Sequence, residues 1–129
     1  MPSRPVVLDT NILLVPFQFK IDVLRELDFL VDVNHHFVIS SRTVKELEAI
    51  GKAIGKDGMA ARLALKMLRA NEGRIKIVES DMEVDDWIVE FAKANRAIVC
   101  TNDSGLRRRL KSAKVKVAAM KSKSRVAFV

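Results

Sequence analysis

The stretch Val6-Val7-Leu8-Asp9-Thr10-Asn11 decides the fold, because it joins a short apolar run to a polar end. Pro5 to Leu8 is rich in β-branched residues, and such a run predicts a buried β-strand. The three residues that follow predict a polar turn. Pro16 interrupts the next apolar stretch, so the first helix is expected only from about Lys20 to Asp32.

Short apolar runs alternate with helical patterns along the rest of the chain. Four more strands are predicted at 37–39, 74–78, 97–100 and 115–119, and 125–129 is a candidate for a further short one. Further helices are predicted after Ser40-Ser41, over about 60–68, and over 103 to about 111. Another is predicted after a capping box formed by Ser80 and Glu83, with Trp87 at the edge of that helix. The alternation predicts an α/β fold with a parallel five-stranded sheet sandwiched by helices on both faces.

Length and composition indicate the class of molecule. A chain of 129 residues that is 49% hydrophobic can form one core, so we expect one domain over 1–129 with a basic C-terminal segment from about 105 to 129. No stretch approaches the ~18 consecutive apolar residues of a membrane span, and no signal-peptide run opens the chain. We therefore expect a cytoplasmic protein without a membrane partner. The single cysteine, Cys100, predicts a packed thiol.

Positive charge is concentrated at the C-terminal end of the sequence. The net charge is +7, yet all 16 acidic residues lie before residue 104. Nine basic residues and no acid lie between Gly105 and Val129. Such a segment predicts a phosphate-binding surface, and the alternative is a solvated basic face that aids solubility. The binding candidates are Arg107, Arg108, Arg109 and Lys111.

Two other motifs are interpreted as structural. The glycine-punctuated loop 51–58 suggests phosphate binding, but it has three residues rather than four between its first two glycines, and Asp57 stands where a Ser or Thr is needed. His35 and His36 are adjacent, and adjacent residues of an extended chain point to opposite faces. We therefore expect surface or turn histidines here.

Acidic residues fall where a parallel α/β sheet collects functional groups, at the carboxyl ends of its strands. Asp9 ends the first strand, and Asp103 follows the fourth. Glu46 lies in the helix after the second strand, and Asp85 and Asp86 lie early in the helix after the third. These carboxylates can therefore face one crevice.

Carboxylates brought together repel one another unless a cation neutralises them. Hard oxygen ligands favour magnesium or manganese, which also bind substrate phosphate, so the arrangement predicts a metal-dependent phosphodiesterase. Each acid also has a structural alternative: Asp9 or Asp103 as a helix N-cap, Glu46 as an exposed helix acid, and Asp85 or Asp86 as a partner of the helix dipole. Their convergence on one crevice favours the metal site.

Four motifs occur in one order along the chain. They are Val6-Val7-Leu8-Asp9-Thr10-Asn11, Val44-Lys45-Glu46-Leu47, Asp85-Asp86-Trp87-Ile88 and Thr101-Asn102-Asp103. Their order and spacing resemble those of PIN-domain endoribonucleases, over essentially the whole chain. The resemblance implies an RNA-cleaving enzyme that leaves 5′-phosphate and 3′-hydroxyl ends. It implies that one or two magnesium or manganese ions are bound by Asp9, Glu46, Asp85 and Asp103.

The resemblance also implies roles for neighbouring residues. Asn11 would orient a ligand or the attacking water, and the Thr101 hydroxyl would support Asp103 or the scissile phosphate. Asp85 is favoured because the family helix carries its Asp three residues before an apolar Ile, and Asp86 is a substitute ligand. The basic C-terminal segment would hold the RNA backbone without reading its sequence.

Two branches of the family are similar to this chain. The segment 13–20 and the basic helix 106–111 look most like the branch that processes small-subunit ribosomal RNA precursors. VapC-type toxins, which pair with an antitoxin, share the motif order and are the second interpretation. Ser104-Gly105 departs from the ribosomal branch, which often carries another acid there, and this puts a second metal ion in doubt.

Other classes of function compete with the nuclease. A non-catalytic RNA-binding assembly domain would use the acids only as helix caps. A phosphorylatable receiver domain would need an acidic pair near the first strand, which offers only Asp9. The oligomeric state is open, with a homodimer among the possible assemblies.

Overall fold

The computed structural model describes residues 2–129 and contains a sheet between two layers of helices. The strands are β1 (Arg4–Leu8), β2 (His35–Ser40), β3 (Ile75–Val78), β4 (Ile98–Cys100), β5 (Lys116–Ser122) and β6 (Arg125–Phe128). The helices are α1 (Thr10–Phe19), α2 (Val23–Leu30), α3 (Ser41–Ile50), α4 (Lys56–Ala70), α5 (Val84–Asn95) and α6 (Ser104–Ser112). Within residues 2–129, every helix is too short or too polar to span a membrane.

Alternate residues of the central strands enter two separate cores. In β1, Val6 and Leu8 pack in the core that α1 to α4 cover, whereas Val7 packs with α5 and α6. Val38 of β2 lies on the same side as Val7. Because the central strands are buried on both faces, they are continuously apolar in sequence.

The order of the strands reverses at β1. The sheet order is β3-β2-β1-β4-β5-β6, so the chain first builds outward through β2 and β3 and then returns through α5 to the other side of β1. A sheet of this kind opens a crevice outside the carboxyl ends of its strands at the point of reversal. The backbone N–H of Asp9 donates to the Cys100 carbonyl at 3.1 Å, which joins the ends of β1 and β4 at this point.

The α/β fold is confirmed, but the predicted number of five strands is wrong. β1 to β5 are parallel, and the candidate strand at 125–129 is present as β6, a sixth strand that pairs antiparallel with β5. Only Val126 of β6 is fully buried. A run of four residues is too short for its apolar pattern alone to establish a strand.

Helix α1 begins directly after β1, where the sequence predicts a polar turn. The Asp9 carboxylate accepts a hydrogen bond from the Thr10 N–H and caps the helix. Pro16 lies inside α1 and removes one backbone donor, but Ile12 and Val15 of the same helix are buried. Burial of its apolar face therefore outweighs the proline, and the prediction of a turn is wrong.

Two helices start later than predicted because of local hydrogen bonds. Asp22 accepts from the Arg25 N–H at 3.1 Å, so α2 begins after this cap. The capping box before α5 is not formed: Glu83 occupies the N-cap position without a side-chain hydrogen bond, and the Ser80 hydroxyl accepts from the Met82 N–H.

The structure defines the surroundings of the tryptophan, the cysteine and the two histidines. Trp87 is buried and stacks on Phe91 at 4.8 Å, so its predicted edge position is wrong. Cys100 is fully buried, as a packed thiol should be, and burial raises the pKa of its thiol. His35 Nε2 lies 2.8 Å from Asp28 Oδ1, whereas His36 Nδ1 lies 2.8 Å from the hydroxyl oxygen of Ser3.

Candidate active site

Asp9 is the most constrained carboxylate of the crevice. It is 5% exposed and lies between the end of β1 and the start of α1. Its Oδ1 accepts from the Thr10 N–H at 2.8 Å. Its Oδ2 accepts from the Thr101 hydroxyl at 2.7 Å and from the Asn11 side-chain amide at 3.2 Å. The protein therefore orients both oxygens of this carboxylate.

Burial and mutual repulsion govern the acidity of the crevice. Burial raises the pKa of Asp9 to about 6, although hydrogen bonds from Thr101 and Thr10 lower it, and the charges of Asp85 and Asp103 add to the rise. Burial likewise raises the pKa of Asp85, and the negative charge of Asp103 raises it further. A bound cation would relieve this repulsion.

The loop after β4 joins Asp103 to the end of β1. Thr101 is completely buried, and its hydroxyl accepts from the Asp103 N–H at 3.0 Å while donating to Asp9. Asp103 Oδ1 accepts from the Leu106 N–H at 2.8 Å and caps α6. One hydroxyl thus fixes the spacing between the backbone of one acid and the carboxylate of the other.

Asn11 links the end of β1 to the loop after β4, and Asn102 links that loop to β5. Its amide group donates to Asp9, and its Oδ1 accepts from the Asn102 N–H at 3.3 Å. Asn102 Oδ1 in turn accepts from the Met120 N–H of β5 at 3.0 Å. Sequence reasoning assigned no role to Asn102, and its position inside the Thr101-Asn102-Asp103 motif was the only signal.

Thr10 is a second residue to which sequence reasoning assigned no role. Its hydroxyl donates to Glu46 Oε1 at 2.6 Å, and the hydroxyl oxygen of Thr43 lies 3.3 Å from it. Glu46 itself is exposed, so this hydrogen bond is what orients its carboxylate. The signal in the sequence is the position of Thr10 directly after Asp9.

Asp85 and Asp86 occupy different environments. Asp85 is partly buried and lines the crevice. Asp86 is outside that lining and forms an ion pair with Arg109, Oδ1 to Nη2, at 2.8 Å. The structure therefore brings Asp85, and not Asp86, to the other acids.

The four carboxylates of the predicted quartet line one cavity of about 470 Å³. The cavity is completed by Thr10, Asn11, Leu14, Ala49, Ile50 and Val84. An all-carboxylate donor set without a basic side chain in the lining fits a hard divalent cation. Among residues 2–129, no three His, Cys, Asp or Glu side chains stand close enough to bind one ion as placed.

A second cavity, of about 450 Å³, lies between α1, α2 and α4. Most of its lining is apolar, and it includes Asp22 and Asp28. Asp28 forms an ion pair with Arg74 at 2.8 Å, and the Asp22 carboxylate caps α2. Both acids are thus already engaged, which makes the acidic crevice the stronger candidate for chemistry.

The predicted phosphate-binding residues lie on α6, the helix that begins at Asp103. Arg108, Arg109 and Lys111 are exposed, and Arg107 is half-buried. Arg109 is the member that pairs with Asp86. The basic residues therefore start within one or two turns of the crevice.

The fold and the crevice define a class: a three-layer α/β protein with four carboxylates where the strand order reverses. The family described as PIN like domain matches residues 6–123. The chain therefore belongs to the PIN-domain family.

Two relatives are similar over most of their length. Ribonuclease VapC9 of Archaeoglobus fulgidus is 35% identical over 127 residues, which cover 95% of this chain and 87% of the relative. Ribonuclease VapC4 of Methanocaldococcus jannaschii is 31% identical over 123 residues, which cover 92% of this chain and 91% of the relative. The predicted family resemblance is confirmed.

Two solved structures share the fold. The PIN domain endonuclease Utp24 superposes with a TM-score of 0.80 at 22% identity, covering 99% of this chain and 92% of that one. A domain of a functionally unknown protein from Methanocaldococcus jannaschii superposes with a TM-score of 0.65 at 19% identity, covering 93% of each chain. At these identities the likeness concerns the fold alone.

Proposed function

We propose that this protein is a metal-dependent endoribonuclease that hydrolyses phosphodiester bonds of RNA. The observation that carries the proposal is the single cavity lined by the carboxylates of Asp9, Glu46, Asp85 and Asp103. Membership of the PIN-domain family and two relatives named as ribonucleases support it.

In this proposal the four carboxylates hold one or two magnesium or manganese ions. When bound, such an ion lowers the pKa of a water molecule and neutralises charge on a phosphate. Asp9 provides the fixed ligand, because three donors orient its two oxygens. Asp85, Asp103 and Glu46 complete the set from α5, the β4 loop and α3. Asp86 acts from outside the cavity through Arg109.

Thr101 and Asn11 are positioning residues in the same proposal. Thr101 holds Asp9 and the Asp103 backbone at once, and Asn11 holds Asp9 and the β4 loop. The Arg107, Arg108, Arg109 and Lys111 side chains of α6 supply positive charge for the RNA backbone.

The test is cleavage of a structured RNA by the purified protein. We expect cleavage with magnesium or manganese, none with chelator, and 5′-phosphate ends on the products. Asp103→Asn is the matched control for contaminating nuclease and should be inactive. RNA binding without cleavage under any metal condition would favour the non-catalytic assembly domain and overturn the proposal.

For the biological role we propose processing of a small-subunit ribosomal RNA precursor. The support is the similarity of segment 13–20 and of the basic helix 106–111 to that branch of the family. Depletion of the protein should cause accumulation of a precursor, and purified protein should cut that precursor at one position. Mature ribosomal RNA at normal levels after depletion would contradict this role.

A VapC-type toxin is the second candidate, and the names of both sequence relatives favour it. A toxin would bind an antitoxin, and its cavity would be active against RNA of the host cell. Inducible expression separates the two roles: a toxin arrests growth and Asp9→Asn relieves the arrest, whereas a processing enzyme in excess leaves growth unchanged.

A further inference from the structure

A basic groove lies between α5 and α6, on the face of the sheet opposite α1 to α4. It has a volume of about 520 Å³ and is lined by Val89, Lys93, Arg108, Arg109, Ser112 and Ala113. Three of these six residues are cations and none is an acid. The groove thus combines positive charge, one hydroxyl and a small apolar floor.

Two of the three cations are free to bind a ligand. Arg109 is paired with Asp86, whereas Lys93 and Arg108 form no ion pair with any residue of the chain from 2 to 129. Both side chains are exposed. Their charges are therefore not neutralised by the protein itself, and an anion can reach them from solvent.

The groove adjoins the acidic crevice at two points. The first is the Asp86–Arg109 ion pair, because Asp86 is the immediate neighbour of Asp85. The second is Gly105: a Cβ built there would lie 3.3 Å from Asp103 Oδ1 and 3.9 Å from Arg108 Nη2. The bare glycine leaves no side chain between that carboxylate and that guanidinium.

The groove continues away from the crevice along α5. Asp86 and Lys93 are seven residues apart in one helix, which is about 10 Å along its axis. Lys93 lies in the last turn of α5, where a cation also interacts with the helix dipole. That structural role would not explain why the same groove contains Arg108 and a hydroxyl from α6.

We propose that this groove is the path of the RNA backbone as it leaves the acidic crevice, with Lys93 of α5 and Arg108 of α6 binding successive phosphates. The inference rests on the proposed function, and it adds a residue outside the basic C-terminal segment to the substrate site. Ser112 supplies a hydroxyl to the same backbone. Because phosphates and not bases face these groups, the groove binds a single strand without reading its sequence.

The test measures binding of a single-stranded oligouridylate to the full chain in chelator, so that cleavage does not interfere. Lys93→Ala and Arg108→Ala should each weaken binding and lower the slope of log affinity against log salt by about 0.7. The double variant should lower it by about twice that amount. Lys66→Ala is the matched control: this exposed lysine of α4 lies on the other face of the sheet, and its loss changes net charge equally.

The outcomes separate this inference from the nuclease proposal. A reduced slope for Lys93→Ala with no change for Lys66→Ala supports the groove, whether or not the protein cleaves RNA. An equal reduction for both lysines would show a general charge effect and overturn the groove. So would an unchanged slope for Lys93→Ala, even if the protein cleaves RNA with metal. Lys93→Glu should weaken binding further than Lys93→Ala, and equal binding by the two variants would also overturn it.

Discussion

The buried hydroxyl of Thr101 donates a 2.7 Å hydrogen bond to the carboxylate of Asp9 across 92 positions of the sequence. The same hydroxyl accepts from the backbone of Asp103. Two acids from distant parts of the chain are therefore positioned by one side chain. Variants of Asp9 and of its surroundings should accordingly test the cavity most directly.

Asp9→Asn should abolish metal-dependent RNA cleavage, because it removes the charge of the fixed ligand while preserving its shape. We expect a loss of at least about 100-fold, since even residues that only support a ligand contribute 10–100-fold. Single-turnover cleavage at saturating magnesium gives the measurement, and binding of RNA in chelator should remain as in the wild type. Cleavage at the wild-type rate would remove Asp9 from the ligand set.

The stability of the metal-free protein should fall as pH rises through the pKa of Asp9. The folded-state pKa, about 6, is raised above the ordinary value of 3.8. The contribution of the Asp9 carboxyl group to the free energy of unfolding is therefore fully present below about pH 4 and is lost as pH rises through about 6. In chelator, Asp9→Asn should be more stable than the wild type at pH 7 and similar to it at pH 4. A difference on the order of 2–3 kcal/mol is the upper bound.

Urea unfolding from pH 4 to 8 measures this prediction. A variant that is less stable than the wild type at every pH would show that Asp9 acts mainly as the N-cap of α1. Added manganese should stabilise the wild type more than the variant, since a ligand that binds only the folded state raises its stability.

Asp85 and Asp86 should differ in their effect on cleavage. Asp85→Asn should be as damaging as Asp9→Asn, because Asp85 lines the cavity. Asp86→Asn should cause a smaller loss, because Asp86 contacts Arg109 at the edge of the groove. Single-turnover rates at saturating magnesium rank the two variants, and the reverse order would transfer the ligand role to Asp86.

Thr10→Val should raise the magnesium concentration that gives half-maximal cleavage by about 10-fold, because it releases the Glu46 carboxylate. The rate at saturating magnesium should change much less. Thr10→Ser keeps the hydroxyl and should restore the wild-type requirement. In a Glu46→Ala background, Thr10→Val should have no further effect; an additive loss would show that Thr10 acts in another way.

Gly58→Ala should destabilise the fold by about 1–3 kcal/mol. A Cβ at Gly58 would lie 1.9 Å from the Ala53 carbonyl oxygen, so the loop 51–55 and α4 cannot keep their contact. Gly73→Ala is the control, because a Cβ there meets nothing within 4 Å. Urea unfolding compares the two, and equal stability would show that the loop moves freely.

The positions of the acids could be predicted from the sequence because the end of each strand, and the start of the helix after it, can be recognised from neighbouring residues alone. Asp9 and Asp103 end apolar runs, and Asp85 precedes Ile88 at helical spacing. Each is thereby assigned to one edge of the sheet before any contact is known. The same local signals are enough for the α/β alternation.

What could not be predicted depends on contacts between distant segments. Whether Pro16 ends a helix depends on how well α1 is buried, and burial is settled by other elements. Thr10 and Lys93 acquire their proposed roles only from α3 and α6, which pack beside them in space. The strand at 125–129, a candidate from its sequence, is established only by its pairing with β5.

The reversal of strand order at β1 also separates the parts of the crevice in time. During translation β1 leaves the ribosome before β4 and the loop with Asp103 do. A nascent chain that already carries Asp9 therefore has no complete set of carboxylates. The ribosome that makes this proposed ribonuclease is thus exposed to a finished crevice only after the loop with Asp103 has emerged.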